Sequence, residues 1–275
     1  MSRRSTSRAT LSVVGAVGIL VFSLFPVFVM VSTAVDARAN DGSRSLLPTE
    51  FTWDNFAFVL NQGGFTTYLR NSVLVALATV VVSGLLALFA SVAVSRFRFR
   101  FRTTVLVLVL VVQMVPLEAL VIPLFLQART LGILDHLFGL VVVYVAFSLP
   151  FAIWMLRGFV AAVPVEIEEA AYVDGASWSK MFWLVLFPLV APGLVATSVF
   201  SFITAWNEFI FAITFLNDQD KYTVAAGLRQ FFTQYGTNWG AVMAGSTLIT
   251  VPVMLFFVAV QRRLSAGLVA GAVKG

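Results

Sequence analysis

The sequence predicts an all-α integral membrane protein with six transmembrane helices. Of its residues, 60% are hydrophobic and 11% charged, where soluble domains carry about 25% charged residues. Six apolar runs reach the roughly 20 residues that a helix needs to cross about 30 Å of hydrocarbon. They are Leu11–Val35, Ser72–Val94, Thr104–Gln127, Leu137–Leu156, Pro188–Leu216 and Ala241–Val260. The cationic residues also gather on alternate connections. The N-terminus (Arg3, Arg4, Arg8), the loop with Arg96, Arg98, Arg100 and Arg102, the segment Arg157–Lys180, and the tail with Arg262, Arg263 and Lys274 hold twelve Lys and Arg, against six in the opposite loops. Excess Lys and Arg mark cytoplasmic loops, so both termini and the Arg157–Lys180 segment are expected inside.

Taken in order, the first run follows three arginines as a signal peptide would. Its 25 residues exceed the usual 7–15 apolar residues of a signal peptide, roughly stated, and predict a retained anchor. The external loop Asp36–Arg70 is expected to hold a short helix, Trp53–Leu60, capped by Thr52 and ended by Gly63-Gly64. Phe51, Trp53, Phe56 and Phe58 place it at the membrane surface, where aromatic residues concentrate. Pro116, Pro123, Pro150 and Pro192 fall inside apolar runs, and membrane helices tolerate such kinks where neighbours satisfy the freed carbonyls. The expected organisation is residues 1–70 (N-terminal segment, first span, outer loop), 71–263 (five spans) and 264–275 (a short, flexible cytoplasmic tail).

Between the fourth and fifth spans lies a polar stretch, EIEEAAYVDGASWSKMFWLVLFP from Glu166 to Pro188. Pro164 suits a first helical turn, and Glu166, Glu168 and Glu169 favour the positive end of the helix dipole. Ile167, Ala170, Ala171 and Asp174 share a face by i, i+3, i+4 spacing, and the two small alanines leave it flat enough for a partner backbone to approach. Gly175 is a natural left-handed stop, and Ser177 can cap a second helix, Trp178–Phe187. The expectation is a short helix, a sharp bend and a longer helix entering the membrane.

That stretch resembles the EAA loop of the inner-membrane permease subunits of binding-protein-dependent ABC importers. The family pattern is E-A-A, three residues, Gly, nine residues, then I-x-L-P. Here Glu169-Ala170-Ala171, Gly175, Val185, Phe187 and Pro188 keep the spacing, with apolar replacements for the Ile and the Leu. Asn71-Ser72, Trp206-Asn207-Glu208-Phe209, and the tail Gln261-Arg262-Arg263 followed by Gly267–Gly275 are similar to the carbohydrate branch of that family, the maltose-type second permease. The resemblance spans nearly the whole chain. It implies a type I importer permease fold with a cytoplasmic EAA coupling helix (about 164–187) between spans four and five. It also implies a second homologous permease, two ABC ATPase subunits and an extracytoplasmic sugar-binding protein as partners, in a bacterial plasma membrane. The coupling residues it implies are Glu169, Ala170, Ala171, Asp174 and Gly175.

No catalytic or metal site is expected. The chain has no cysteine and one histidine, His136, in an external loop, and none of Lys180, Lys221 or Lys274 follows a glycine as a phosphate-binding loop requires. ATP and Mg would therefore be bound by partner subunits. Basic residues that flank apolar spans argue against nucleic acid. Glu118 and Glu208 are carboxylates within apolar runs, so each should face protein or water. With Trp206 and Asn207, Glu208 offers an aromatic face beside polar groups, which suits a sugar in a translocation path. The rival reading is a proton-coupled secondary transporter with Glu118 and Glu208 as relay groups. A glycerol phosphate or polyol substrate would look the same at this level.

Overall fold

The structure, a computed structural model, describes residues 3–41, 46–61, 64–233 and 236–272. It divides into two compact units, Met1–Phe65 with Leu228–Val251, and Thr66–Gly227 with Pro252–Gly275.

In the first unit, α1 (Arg3–Ala34) carries the first span, Ser12–Ala34, whose most apolar stretch has no buried residue. After it the chain turns on Asp36, whose carboxylate accepts the Arg38 N–H at 3.1 Å and the Thr49 hydroxyl at 3.0 Å. Asn55 Nδ2 donates to the carbonyls of Ala34 and Asp36, both at 3.0 Å. The expected loop helix is α2 (Asp54–Asn61), and Thr52 Oγ1 accepts the Asp54 N–H at 3.1 Å. Gly64 is left-handed at φ +100°, whereas Gly63 lies outside the described residues. A two-stranded antiparallel ribbon, β1 (Phe232–Thr233) with β2 (Gly236–Thr237), leads into α12 (Trp239–Ala272). Asn238 caps that helix by accepting the Ala241 N–H at 3.0 Å.

The second unit begins within α3 (Phe65–Arg96) and holds α4 (Arg102–Val112), α5 (Val121–Thr130), α6 (Leu137–Ala162) and α7 (Val165–Val173). α8 (Trp178–Met181) runs through one π-helical turn, Phe182–Leu186, into α9 (Phe187–Asn207), followed by α10 (Ile210–Phe215) and α11 (Val224–Gly227). Its core joins Leu88 and Val92 of α3, Ile153 and Leu156 of α6, and Met181, Phe182, Leu186 and Val190 of the α8–α9 run. α6 and α9 meet at Gly193, where a Cβ would run into the Phe159 ring. Asn71 and Ser72 are structural. Asn71 Nδ2 donates to the carbonyls of Asp220 and Tyr222 at 2.9 and 3.1 Å, and Ser72 Oγ accepts the Val224 N–H at 2.8 Å.

Five helices are long and apolar enough to cross a membrane, and a bent pair brings the count to six. Two expected spans differ from the prediction. Thr104–Gln127 is broken: α4 ends at Val112, Pro116 precedes a 3₁₀ turn at Leu117–Leu120, and the two segments meet at 95°. Proline has no N–H to donate and disfavours helical geometry in the residue before it. Pro123 falls in the first turn of α5, where those losses cost little. The fifth span starts at Trp178 and ends at Asn207, not at Leu216, because Glu208 is extended (ψ 125°). The tail expected to be flexible is helical as far as Ala272, and residues 273–275 lie outside the described set.

Candidate coupling site and pathway residues

α7 is bounded as its sequence requires. Pro164 stands at its N-cap with φ −57°, and Glu166 and Glu168 occupy its first turn. At its end Gly175 adopts φ +82°. The Gly175 N–H donates to the Tyr172 carbonyl at 3.0 Å and the Ala176 N–H to the Ala171 carbonyl at 2.9 Å. This pair of bonds is a Schellman stop, and it reverses the chain within one turn. Ser177 then caps α8, its Oγ accepting the Lys180 N–H at 3.4 Å.

Glu169, Ala170, Asp174 and Gly175 are exposed, together with Ile167, Tyr172 and Val173. Ala171 is not fully part of that outer surface: it is half-buried and packs on the core. The flat patch expected from two adjacent alanines therefore rests on Ala170 alone, since neighbouring helical residues point about 100° apart.

The inward face of α7 carries a pair that sequence reasoning missed. Glu168 is buried, and its Oε1 lies 2.7 Å from Arg96 Nε at the end of α3; the two side chains are 8% and 13% exposed. Arg96 Nη2 also donates to the Val163 carbonyl at 2.8 Å, an acceptor at the C-terminal end of α6 with no helical partner. One guanidinium thus ties together α3, α6 and α7. Nothing in the local sequence marks the pair, because its members lie 72 positions apart.

At the opposite end of α6, Asp135 holds the turn before that helix. It is left-handed (φ 59°), accepts the Asn217 and Asp218 N–H groups at 3.0 Å each, and pairs with Lys221 Nζ at 2.7 Å. The Lys221 hydrogen bond first, then those N–H groups, hold its carboxyl at about 2, below the ordinary 3.8, against the opposing effect of burial. A lowered carboxyl pKa contributes stability in full above the unfolded value of about 4, and loses it as pH falls towards 2. Asp135→Asn, which tolerates the left-handed backbone, is expected to melt a few degrees below wild type at pH 5. That gap should close by pH 2. A gap of constant size across that range would refute the role of the ion pair.

His136 is exposed at the N-cap of α6. Glu118 is exposed in the 3₁₀ turn of the broken span. Beside that break is a cleft of about 200 Å³, lined by Gln113, Val115 and Leu117, by Phe147 and Pro150 of α6, and by Phe200 and Thr204 of α9. Glu208 is half-buried and heavily engaged. Its carboxylate accepts the Tyr144 hydroxyl at 2.6 Å, the Phe211 N–H at 2.9 Å and the Ala212 N–H at 3.2 Å. It thereby caps α10, which explains the early end of α9. Trp206 is 2% exposed and stacks on Phe202 with centroids 5.3 Å apart. Its packed ring offers no open face to a sugar, contrary to expectation. Asn207 is exposed and donates to the Ile203 carbonyl at 3.0 Å.

The family model described as "binding-protein-dependent transport system inner membrane component" matches residues 83–269, from α3 through most of α12. The chain belongs to this family. Its relatives include the diacetylchitobiose uptake system permease protein DasC of Streptomyces coelicolor, 40% identical over 95% of this chain and 96% of that one. The trehalose transport system permease protein SugB of Mycobacterium tuberculosis is 33% identical over 100% and 99%. In the crystal structure of a bacterial ABC transporter involved in the import of the acidic polysaccharide alginate, one chain superposes with a TM-score of 0.81, at 23% identity, over 95% of this chain and 98% of that one. The fold is thus that of an importer permease, and the proton-coupled alternative finds no support.

Proposed function

We propose that this chain is one of two permease subunits of an ATP-driven importer for a di- or oligosaccharide. The observation that carries the coupling part is α7: an exposed helix with a fixed stop, fastened by Arg96 to the ends of two spans. Such a helix can transmit a push from an ATPase subunit as rigid-body motion of the bundle. The sugar is supported by relatives named for diacetylchitobiose and trehalose uptake. In this reading the termini and α7 are cytoplasmic, ATP and Mg belong to two partner ATPases, and an extracytoplasmic binding protein delivers the sugar. The cofactor-free permease does no chemistry of its own.

The broken third span supports a pathway near Glu118. Irregular backbone at membrane depth is tolerated where protein or a water-filled cavity covers it, and an ionised side chain there costs about 2.5–3.5 kcal/mol if lipid surrounds it. Gln113 and Thr204 are the polar residues that line the cleft beside the break, and Glu118 is exposed in the adjoining turn. Glu208→Gln keeps one acceptor oxygen and loses the charge. It is expected to melt lower, by about 1 kcal/mol for the weakened bonds, yet to retain most sugar accumulation. Loss of accumulation with a normal melt would favour a proton relay instead.

The deciding experiment is uptake by the reconstituted complex, with a panel of labelled disaccharides. Uptake should stop when the ATPase partner is made catalytically dead, and survive a protonophore over short times. The reverse pattern would overturn the proposal.

A further inference from the structure

The connection from α3 to α4 reads Arg96-Phe97-Arg98-Phe99-Arg100-Phe101-Arg102. We propose that Phe97–Arg102 is a binding site for anionic phospholipid headgroups. α3 is long and apolar enough to cross a membrane, and α4 opens the bent pair that passes the same test only together with the segment after Pro116, so this short linker between them is placed at the boundary between hydrocarbon and headgroups. Three rings in a row are open there, Phe97 at 54%, Phe99 at 42% and Phe101 at 62% exposure, and aromatic rings settle at that boundary. Arg96 is engaged by Glu168, but Arg98, Arg100 and Arg102 form no ion pair among the described residues. Nor does the sequence supply one nearby: no Asp or Glu occurs between Asp54 and Glu118.

A second, independent feature points to the same ligand. α4 is 11 residues long and starts at Arg102, whose own N–H donates to the Phe99 carbonyl at 3.2 Å, while no side chain caps the N–H groups that follow. Uncapped N–H groups and the positive end of the helix dipole favour an anion. The guanidinium fork fits phosphate oxygens in pairs, and each cation near an anionic membrane surface is worth about fivefold in association. A soluble acidic partner would account for the arginines but not for the three open rings. The occupant that satisfies both is an anionic diacyl lipid such as phosphatidylglycerol.

The test uses the full chain in its complex, in vesicles that contain photoactivatable phosphatidylglycerol or phosphatidylcholine at equal load. Adducts are mapped by mass spectrometry. Adducts at residues 97–102 should favour phosphatidylglycerol, and R98Q/R100Q/R102Q should lower that preference at least about fivefold. Should the triple variant fail to insert, R98Q and R100Q singly give the same readout at smaller amplitude. Equal labelling by the two lipids, or a preference untouched by the substitutions, overturns the proposal. So does displacement by millimolar inorganic phosphate, which would assign the site to a free anion. Adducts that appear with the chain alone but vanish in the complex would assign the surface to a protein partner. None of these outcomes bears on sugar uptake.

Discussion

Replacing Arg96 with alanine is expected to destabilise the protein by about 3–5 kcal/mol, because it leaves the Glu168 carboxylate buried without its cation. The pair is nearly closed to water, so solvent offers little screening. The Val163 carbonyl loses its donor as well, which leaves a helix end unsatisfied. Arg96→Lys should recover part of the loss: an ammonium can reach the carboxylate but lacks the planar fork that serves two acceptors at once. The double variant R96M/E168L should be more stable than Arg96→Ala, since removing both charges also removes the cost of burying them. Thermal melts of the purified chain, set against Arg98→Ala as an exposed control, give the comparison. A melt for Arg96→Ala equal to the control would show that the ion pair holds nothing.

Apolar run length located the spans well, because a stretch of about 20 apolar residues has few other folds open to it. The same averaging hid both breaks. Pro116 was expected to kink a continuous helix, yet the following 3₁₀ turn bends the chain by 95°; a mean over the run cannot register a local change of hydrogen-bond pattern. Glu208 was read by its charge and by its neighbours Trp206 and Asn207, as a pathway group. Its place just before α10 lets its carboxylate accept N–H groups from the first turn of that helix, those of Phe211 and Ala212, and the structure uses it so. The α7 stop was legible, since a left-handed glycine has a local cause. The Arg96–Glu168 pair was not, for it joins residues 72 positions apart. Tyr144, which donates to Glu208 from 64 positions away, escaped for the same reason. Trp206 was misjudged because an aromatic residue looks alike in sequence whether it faces a ligand or a neighbouring helix.

Gly175→Val is expected to uncouple ATP hydrolysis from transport while the protein still inserts and assembles. Space is not the obstacle, because a Cβ at Gly175 would meet nothing within 4 Å. The obstacle is the backbone, since φ +82° is a true outlier for a β-branched residue, costing at least about 1–2 kcal/mol. Strain of that size lowers the ratio of the native stop to frayed alternatives by roughly 5–30-fold. The bonds at stake are those from Gly175 and Ala176 to Tyr172 and Ala171, and without them α7 no longer ends at a fixed angle to α8. The spans are untouched, so insertion should be normal. Stimulation of ATPase activity by loaded binding protein should fall in the order Gly, Asn, Ala, Val at position 175, because asparagine tolerates the left-handed region better than alanine does. Coupling that tracks side-chain volume instead of backbone tolerance, with alanine better than asparagine, would shift the cause from the Schellman stop to a steric contact with the partner.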